Sequence, residues 1–374
     1  MCKYSMNSFR CAAIHHNVRF DTTLNAHVKI LPCCVYKTDQ TYSTLEEYYS
    51  SKEIQQLRSA ESWPPGCRVC QQQEEQNQTS YRQHANAALD NIIGVRYELM
   101  PSNVCNLKCV MCSPTYSTAL AKERYTIGIE LTDRSRETNT VSQQLKSLST
   151  VDNIESISII GGEFFLTKGN LEIMDFVLAN QIPLRIVTNA TVLLASHLDR
   201  LKLIKDLELQ ISVDGYKEGY EIMRYPATWD KFSENVDKLI QQLPQAKINF
   251  HFVAQALNLQ QLVPTLDWCN RQRRPTRVTN LVVPEHLGWQ VFSEQDRIKV
   301  IRTLRDQCTQ YQITVSQKQL VEKLCDTISL ILQDPELRKK FESTIREIYE
   351  HRWPELKDSN SCHMIQRQVF YPVN

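Results

Sequence analysis

No stretch of this 374-residue sequence approaches the roughly 20 consecutive apolar residues that a membrane-spanning helix needs. The opening residues, MCKYSMNSFRC, lack the apolar core of a signal peptide. An excess of one charge is missing too. Lys and Arg number 43 against 42 Asp and Glu, a formal net charge of +1, which gives no signal for a general nucleic-acid-binding surface. No internal repeat is evident. These absences point to a cytoplasmic chain with no membrane partner, and its composition, 42% hydrophobic and 23% charged, is ordinary for a globular protein. The length suits two or three domains.

Cysteine is what the sequence does have, thirteen in all. A reducing compartment argues against a disulfide framework, so clustered cysteines read as metal or cluster ligands. Cys11, Cys33, Cys34, Cys67, Cys70, Cys105, Cys109 and Cys112 crowd the first third. Cys269, Cys308, Cys325 and Cys362 are scattered singly and read as small buried hydrophobes, and Cys2 as part of a loose terminus.

The densest stretch is Val104–Ser113, VCNLKCVMCS, which sets Cys105, Cys109 and Cys112 in a C-x₃-C-x₂-C array. Soft sulfur donors favour zinc or an iron–sulfur cluster. Zinc wants a fourth Cys or His to close its tetrahedron, and none lies between Thr115 and Thr150. A cubane held by three cysteines leaves one iron open to a small chelating molecule. Upstream, the turn residues of WPPGCRVC lead straight into Cys67-x₂-Cys70, a strong metal-knuckle signal, and Cys11 with one of Cys33 and Cys34 would complete a set of four. A zinc knuckle and an iron–sulfur site both suit four cysteines.

Residues 1–90 carry few long periodic segments. A short strand is expected at 27–31 and a helix over 43–58. From Val95 the texture becomes alternating strands and helices: strands at 95–102, 156–165, 184–190, 207–215, 248–254 and 278–283, with helices at 116–126, 142–149, 171–180, 229–243 and 259–271 between them. This alternation predicts an α/β fold with a parallel sheet and right-handed crossovers, and ligands gather at the C-terminal strand ends of such sheets. From Ser293 onward the sequence reads as helix, with Ser293 and Asp296 at one start and Asp334-Pro335 at another.

CNLKCVMC resembles the cluster loop of the radical S-adenosylmethionine (radical SAM) superfamily. The resemblance covers residues 8–290 and implies a partial (β/α)₆ barrel over 91–290, an N-terminal auxiliary iron–sulfur segment over 1–90 and a C-terminal helical region over 291–374. It also implies that S-adenosylmethionine (SAM) chelates the open iron of a [4Fe-4S] cluster. One electron, from a donor such as flavodoxin or ferredoxin, then cleaves SAM to methionine and a 5′-deoxyadenosyl radical. Gly161-Gly162-Glu163 ends a strand and is similar to the element that holds the SAM amino group, although Phe164 stands where the family usually has proline. By the same resemblance, Asn189 and Ser212 would contact the SAM ribose or carboxylate, and Arg224 would pair with that carboxylate. Met111 would pack near the adenine, at a position where many members carry an aromatic residue. The plain alternatives are a turn cap for Asn189, a solvated charge for Arg224 and simple turn chemistry for Asp214-Gly215.

The pattern Cys11, Cys33-Cys34, Cys67, Cys70, Glu74, Ser80 and Arg82 is similar to the auxiliary-cluster segment of twitch-type (SPASM-like) relatives. That resemblance implies a second [4Fe-4S] cluster on four cysteines, with Cys33 preferred over Cys34. The expected activity is abstraction of a hydrogen atom by the 5′-deoxyadenosyl radical from a substrate, read as a peptide. The alternatives are a radical SAM oxidoreductase or mutase acting on a small metabolite or nucleotide, or a non-catalytic zinc-binding interaction protein.

Overall fold

The computed structural model describes residues 9–22, 27–75, 79–89 and 92–353. Cys2, Cys362 and the FYPVN ending lie outside the described residues. In chain order the elements are α1 (Ala12–His16), β1 (Asn17–Thr22), β2 (Val28–Leu31), α2 (Leu45–Ser50), α3 (Lys52–Arg58), α4 (Arg68–Glu75), α5 (Tyr81–Leu89), β3 (Val95–Leu99), α6 (Thr118–Thr126), α7 (Val141–Leu148), β4 (Ile154–Ile159) and α8 (Asn170–Asn180). They continue with β5 (Leu184–Thr188), α9 (Ala195–Leu201), β6 (Leu207–Ser212), α10 (Glu218–Met223), α11 (Trp229–Gln242), β7 (Lys247–Ala254), α12 (Leu262–Arg271), β8 (Thr276–Asn280), α13 (Glu294–Gln310), α14 (Val315–Leu330) and α15 (Pro335–Arg352). The fold is α/β with a mostly parallel sheet and a helical C-terminal region, as the strand–helix alternation implies. Among the described residues no helix is long and apolar enough to cross a membrane.

The chain forms two compact units, one of residues 1–104, 136–187 and 194–208, the other of residues 105–135, 188–193 and 209–374. In the first unit the strand order is β2-β1-β3-β4-β5. The β1–β2 pair is antiparallel and the others are parallel. Strand β1 was not expected. Its apolar positions are only Val18 and Phe20, and Arg19 between them is buried beside Asp21 (2.6 Å) and Glu98 (3.6 Å). The helix expected over 43–58 is two helices. Ser51 adopts an extended ψ of 141°, ends α2, and caps α3 by accepting from the Ile54 N–H. Strand β4 stops at Ile159, and Phe164–Leu166 wind into a 3₁₀ turn in place of the strand expected to run to 165.

In the second unit β6, β7 and β8 are neighbours in that order. Alternate residues of β6 and β7 are buried, the period-2 pattern of a strand with one covered face. Strand β8 sits two residues earlier than expected at its start and ends at Asn280. A single apolar core joins Val110, Phe252, Leu304, Val321, Ile328 and Ile348, so the C-terminal helices share their packing with the loop that carries the three clustered cysteines.

Helix starts follow the sequence signals. Asp334 caps α15 ahead of Pro335, and Ser293 with Asp296 forms a complete capping box on α13. Asp296 also pairs with Arg338 at 2.8 Å. Burial alone would raise its pKa, but the hydrogen bonds from the Ser293 hydroxyl and N–H and from Arg338 outweigh it and hold the carboxyl below its usual range. A depressed carboxyl pKa adds stability above the unfolded-state value, about 4, and loses it as the pH falls through the folded value. Asp296→Asn is therefore expected to cost about 1 kcal/mol at neutral pH. In urea melts the gap between variant and parent should close as the pH is taken below about 4; a gap independent of pH would contradict the assignment.

Candidate functional site

The loop after β3 docks its backbone on the end of α10. The Lys108 N–H donates to the Tyr225 carbonyl at 2.7 Å and the Val110 N–H to the Met223 carbonyl at 3.1 Å, while the Cys112 N–H closes a turn on the Cys109 carbonyl at 3.1 Å. Cys109 is buried, and Cys105 and Cys112 are half-buried. Burial pushes the Cys109 thiol up, and burial together with the neighbouring Cys109 pushes Cys112 up to about 12. Thiols sharing so small a space resist joint ionisation, and a bound metal inverts that preference.

Buried cations surround this loop. Arg224, which follows α10, reaches Cys109 Sγ with Nη1 at 3.9 Å and pairs with Asp214 through Nη2 at 2.5 Å. Asp214 is fully buried and its other oxygen accepts the Val253 N–H at 2.8 Å. Burial opposes the Arg224 charge, but Asp214 and Cys109 more than offset it and raise its pKa. Arg124 of α6 donates to the Val110 carbonyl at 3.2 Å, and Arg352 at the end of α15 donates to the Lys108 carbonyl at 2.6 Å. Arg352 also forms a two-pronged pair with Glu123 (2.6 Å from Nη2, 3.1 Å from Nε), both side chains wholly buried, and Lys108 Nζ lies 3.4 Å from the same carboxylate.

Asn189 follows β5. Its Nδ2 donates to Asn106 Oδ1 at 3.2 Å and approaches Cys105 Sγ at 3.9 Å, and its Oδ1 accepts the Thr191 N–H at 2.9 Å. The turn-cap role weighed for Asn189 is thus present, and the turn it caps supports the cysteine loop. Ser212 is half-buried at the end of β6, and half-buried Met111 packs on the apolar core of the unit.

Two further groups lie in the first unit. Gly161 and Gly162 have φ of 78° and 56°. A Cβ on Gly162 would meet the Val104 carbonyl oxygen at 2.6 Å and the Ser102 carbonyl oxygen at 2.9 Å, so the chain can pass here only without a side chain. Glu163 follows, 1% exposed, its N–H on the Val104 carbonyl at 2.7 Å and its carboxylate taking the Phe165 N–H at 3.3 Å.

Separately, Cys11, Cys33, Cys67 and Cys70 line one small pocket together with Trp63 and Arg82. Burial pushes the Cys67 thiol up to about 12, with Cys11 and Cys70 adding to the rise, and burial pushes Cys33 up too, with Cys34, Cys11 and Cys70 adding. Cys34 is exposed. Glu74 accepts from Ser80 Oγ (2.5 Å) and Arg82 Nε (2.9 Å), while the Arg82 guanidinium lies 4.9 Å from the Trp63 ring centre. Among the described residues no three His, Cys, Asp or Glu groups are gathered to hold a single metal ion. Sulfurs on one zinc each lie about 2.3 Å from it and must crowd together, whereas on a cubane each binds a different iron.

The family model of the radical SAM superfamily matches residues 99–269. Over these residues the chain is similar to the radical SAM superfamily. No curated protein matches it. Among solved structures it is similar to Streptococcus suis SuiB bound to precursor peptide SuiA, at 15% identity and a TM-score of 0.42, covering 74% of this chain and 54% of that one. It is similar also to native anSMEcpe with bound AdoMet, at 18% identity and a TM-score of 0.43, covering 56% and 60%. A third is the radical SAM methyltransferase TsrM from Kitasatospora setae with cobalamin and a [4Fe-4S] cluster, at 9% and 0.37, covering 50% and 37%. The chain spans about half the length of SuiB.

The matched family implies a [4Fe-4S] cluster and SAM, and residues 105–112 fit such a cluster: three thiols on one loop, with guanidinium groups facing them to offset anionic charge. Of the expected site residues, Cys105, Cys109, Cys112, Met111, Asn189, Ser212 and Arg224 belong to the second unit, and Gly161, Gly162, Glu163 and the upstream cysteines to the first. Sequence reasoning missed Asp214, Glu123, Arg124 and Arg352. One signal was available: Glu123 and Arg124 fall three and four residues after Leu120 on the buried face of α6, where charges need partners.

The backbone around Gly162 leaves no room for a side chain. Gly162→Ala is expected to cost about 1–2 kcal/mol from its left-handed backbone alone, and more from the carbonyl clash. Urea unfolding measures it, and a cost near zero would show that the backbone here can relax.

Proposed function

We propose that this chain is a radical SAM enzyme, that Cys105, Cys109 and Cys112 hold its [4Fe-4S] cluster, and that Glu163, Asn189, Ser212 and Arg224, with Gly161, Gly162 and Met111, make up its SAM-binding residues. The observation that carries this reading is the three-thiol loop lying within the matched residues 99–269, with Arg224 set against Cys109. When bound, the cluster would supply the electron for reductive cleavage of SAM, the source of hydrogen-abstracting chemistry in this family. The chain's residues bind, orient and exclude water. Gly162 lets the strand end pass close to the backbone of residues 102–104, and Glu163 offers an anionic group suited to an ammonium. Arg224 keeps its charge through Asp214, and its Nε has no hydrogen-bond partner among the described residues, which leaves one donor for a carboxylate.

A second [4Fe-4S] cluster on Cys11, Cys33, Cys67 and Cys70 is the companion reading. Four thiols lining one pocket with no carboxylate or imidazole among them support it, and so does Arg82 beside them. Cys34, exposed, is left out of the set. The peptide substrate rests on the sequence resemblance to twitch-type relatives.

After oxygen-free purification the parent is expected to carry about eight irons per chain. Cys105→Ala and Cys70→Ala should each fall to about four, and Cys34→Ala should stay at about eight. With dithionite and SAM, only variants that retain Cys105, Cys109 and Cys112 should release 5′-deoxyadenosine. Zinc in place of iron, or SAM cleavage by Cys105→Ala, would overturn the assignment. Loss of iron from Cys34→Ala with none lost from Cys33→Ala would reverse the choice between those two.

A further inference from the structure

Three arginines from three separate elements grip three consecutive residues of the cysteine loop. Arg352 donates to the Lys108 carbonyl at 2.6 Å, Arg224 points Nη1 at Cys109 Sγ at 3.9 Å, and Arg124 donates to the Val110 carbonyl at 3.2 Å. Two of them are neutralised by buried carboxylates, Arg352 by Glu123 and Arg224 by Asp214. Only Arg352 lies beyond residues 99–269, on the last turn of α15. It is fixed there from several sides: by the Glu123 pair, by the Tyr225 ring 5.1 Å beneath its guanidinium, and by Trp353, which packs on both Tyr225 (5.3 Å) and Tyr349 (4.9 Å). Tyr225 in turn supplies the carbonyl that takes the Lys108 N–H. The residue the helix grips and the residue it stacks on are thus hydrogen-bonded to each other.

We infer that α15 is a working part of the cluster site: Arg352 is a positioning residue that closes a three-arginine clamp and holds Lys108–Val110 in the conformation that presents Cys109. This rests on the reading of residues 105–112 as the cluster loop. A guanidinium can hold a carboxylate with two nitrogens and still donate to a carbonyl, whereas a lysine at the same place has one nitrogen for both tasks. Arg352 presses positive charge on the loop through the Lys108 carbonyl and is not among the SAM-binding residues proposed above. Its loss therefore acts on loop order and cluster retention first.

The test is hydrogen exchange on the full chain, purified without oxygen, with iron counted on the same sample. In Arg352→Met the Lys108 and Val110 amides should exchange at least tenfold faster than in the parent, while α12 is unchanged. The iron of the catalytic cluster, followed by its electron paramagnetic resonance signal after reduction, should fall. Arg352→Lys should lie between the two. Arg124→Met should loosen Val110 with α15 still protected, which separates the clamp from simple undocking of the helix. Unchanged exchange at 108–110, or faster exchange spread evenly over α13–α15, would overturn the clamp. A parent without iron would sink the cluster reading alone, since the exchange comparison still decides whether Arg352 orders the loop.

Discussion

Three thiols within eight residues of one loop repel each other once ionised, and the second unit is built around that repulsion. Cys109 is buried, so its charge cannot be left to water, and the structure answers with cations from α6, from the end of α10 and from α15. Those cations are buried in turn and need their own counterions. A charge left alone in the interior costs several kcal/mol, and Glu123 and Asp214, both wholly buried, are the compensation. Arg124 forms no ion pair among the described residues, so the loop carries a net positive surround.

The four-cysteine pocket solves a related problem with less structure. Its walls come from short elements, α1, the start of α4 and the turn at Pro65–Cys67, none long enough to be stable by itself. What ties them is lateral. Arg82 binds Glu74, the Arg10 carbonyl at 2.7 Å and the face of Trp63, while Phe9 packs on Trp63 at 5.1 Å. Gly66 sits where a Cβ would strike the Tyr36 ring at 2.4 Å, which brings the knuckle close to that ring.

Features written in adjacent residues were legible from the sequence: the C-x₃-C-x₂-C array, the strand ending at a double glycine, the capping pairs Ser293–Asp296 and Asp334–Pro335, and the helical period of α11. Pairing between distant residues was not. Glu123 and Arg352 are 229 positions apart, and no local pattern announces that one will meet the other. Asp214-Gly215 reads as a turn because that dipeptide favours turns, and the Arg224 pair that gives Asp214 its place is a tertiary fact. Strand β1 was hidden because its alternation rests on only two apolar residues, Val18 and Phe20, too few to stand out, and pairing buries the charged Arg19 between them. Cys33 and Cys34 are equal in spacing; only the fold turns one into the pocket and leaves the other exposed.

The shared core has a consequence for modularity. Val110, Met223 and Phe252 pack into the same apolar mass as Leu304, Val321 and Ile348. A graft that took the α/β portion and ended it after Val291 would leave those side chains against solvent and Glu123 without its guanidinium. Swapping C-terminal segments between relatives would succeed only where the donor brings an equivalent basic anchor and apolar face. The boundary drawn by eye between sheet and terminal helices is therefore not a seam along which this protein can be cut.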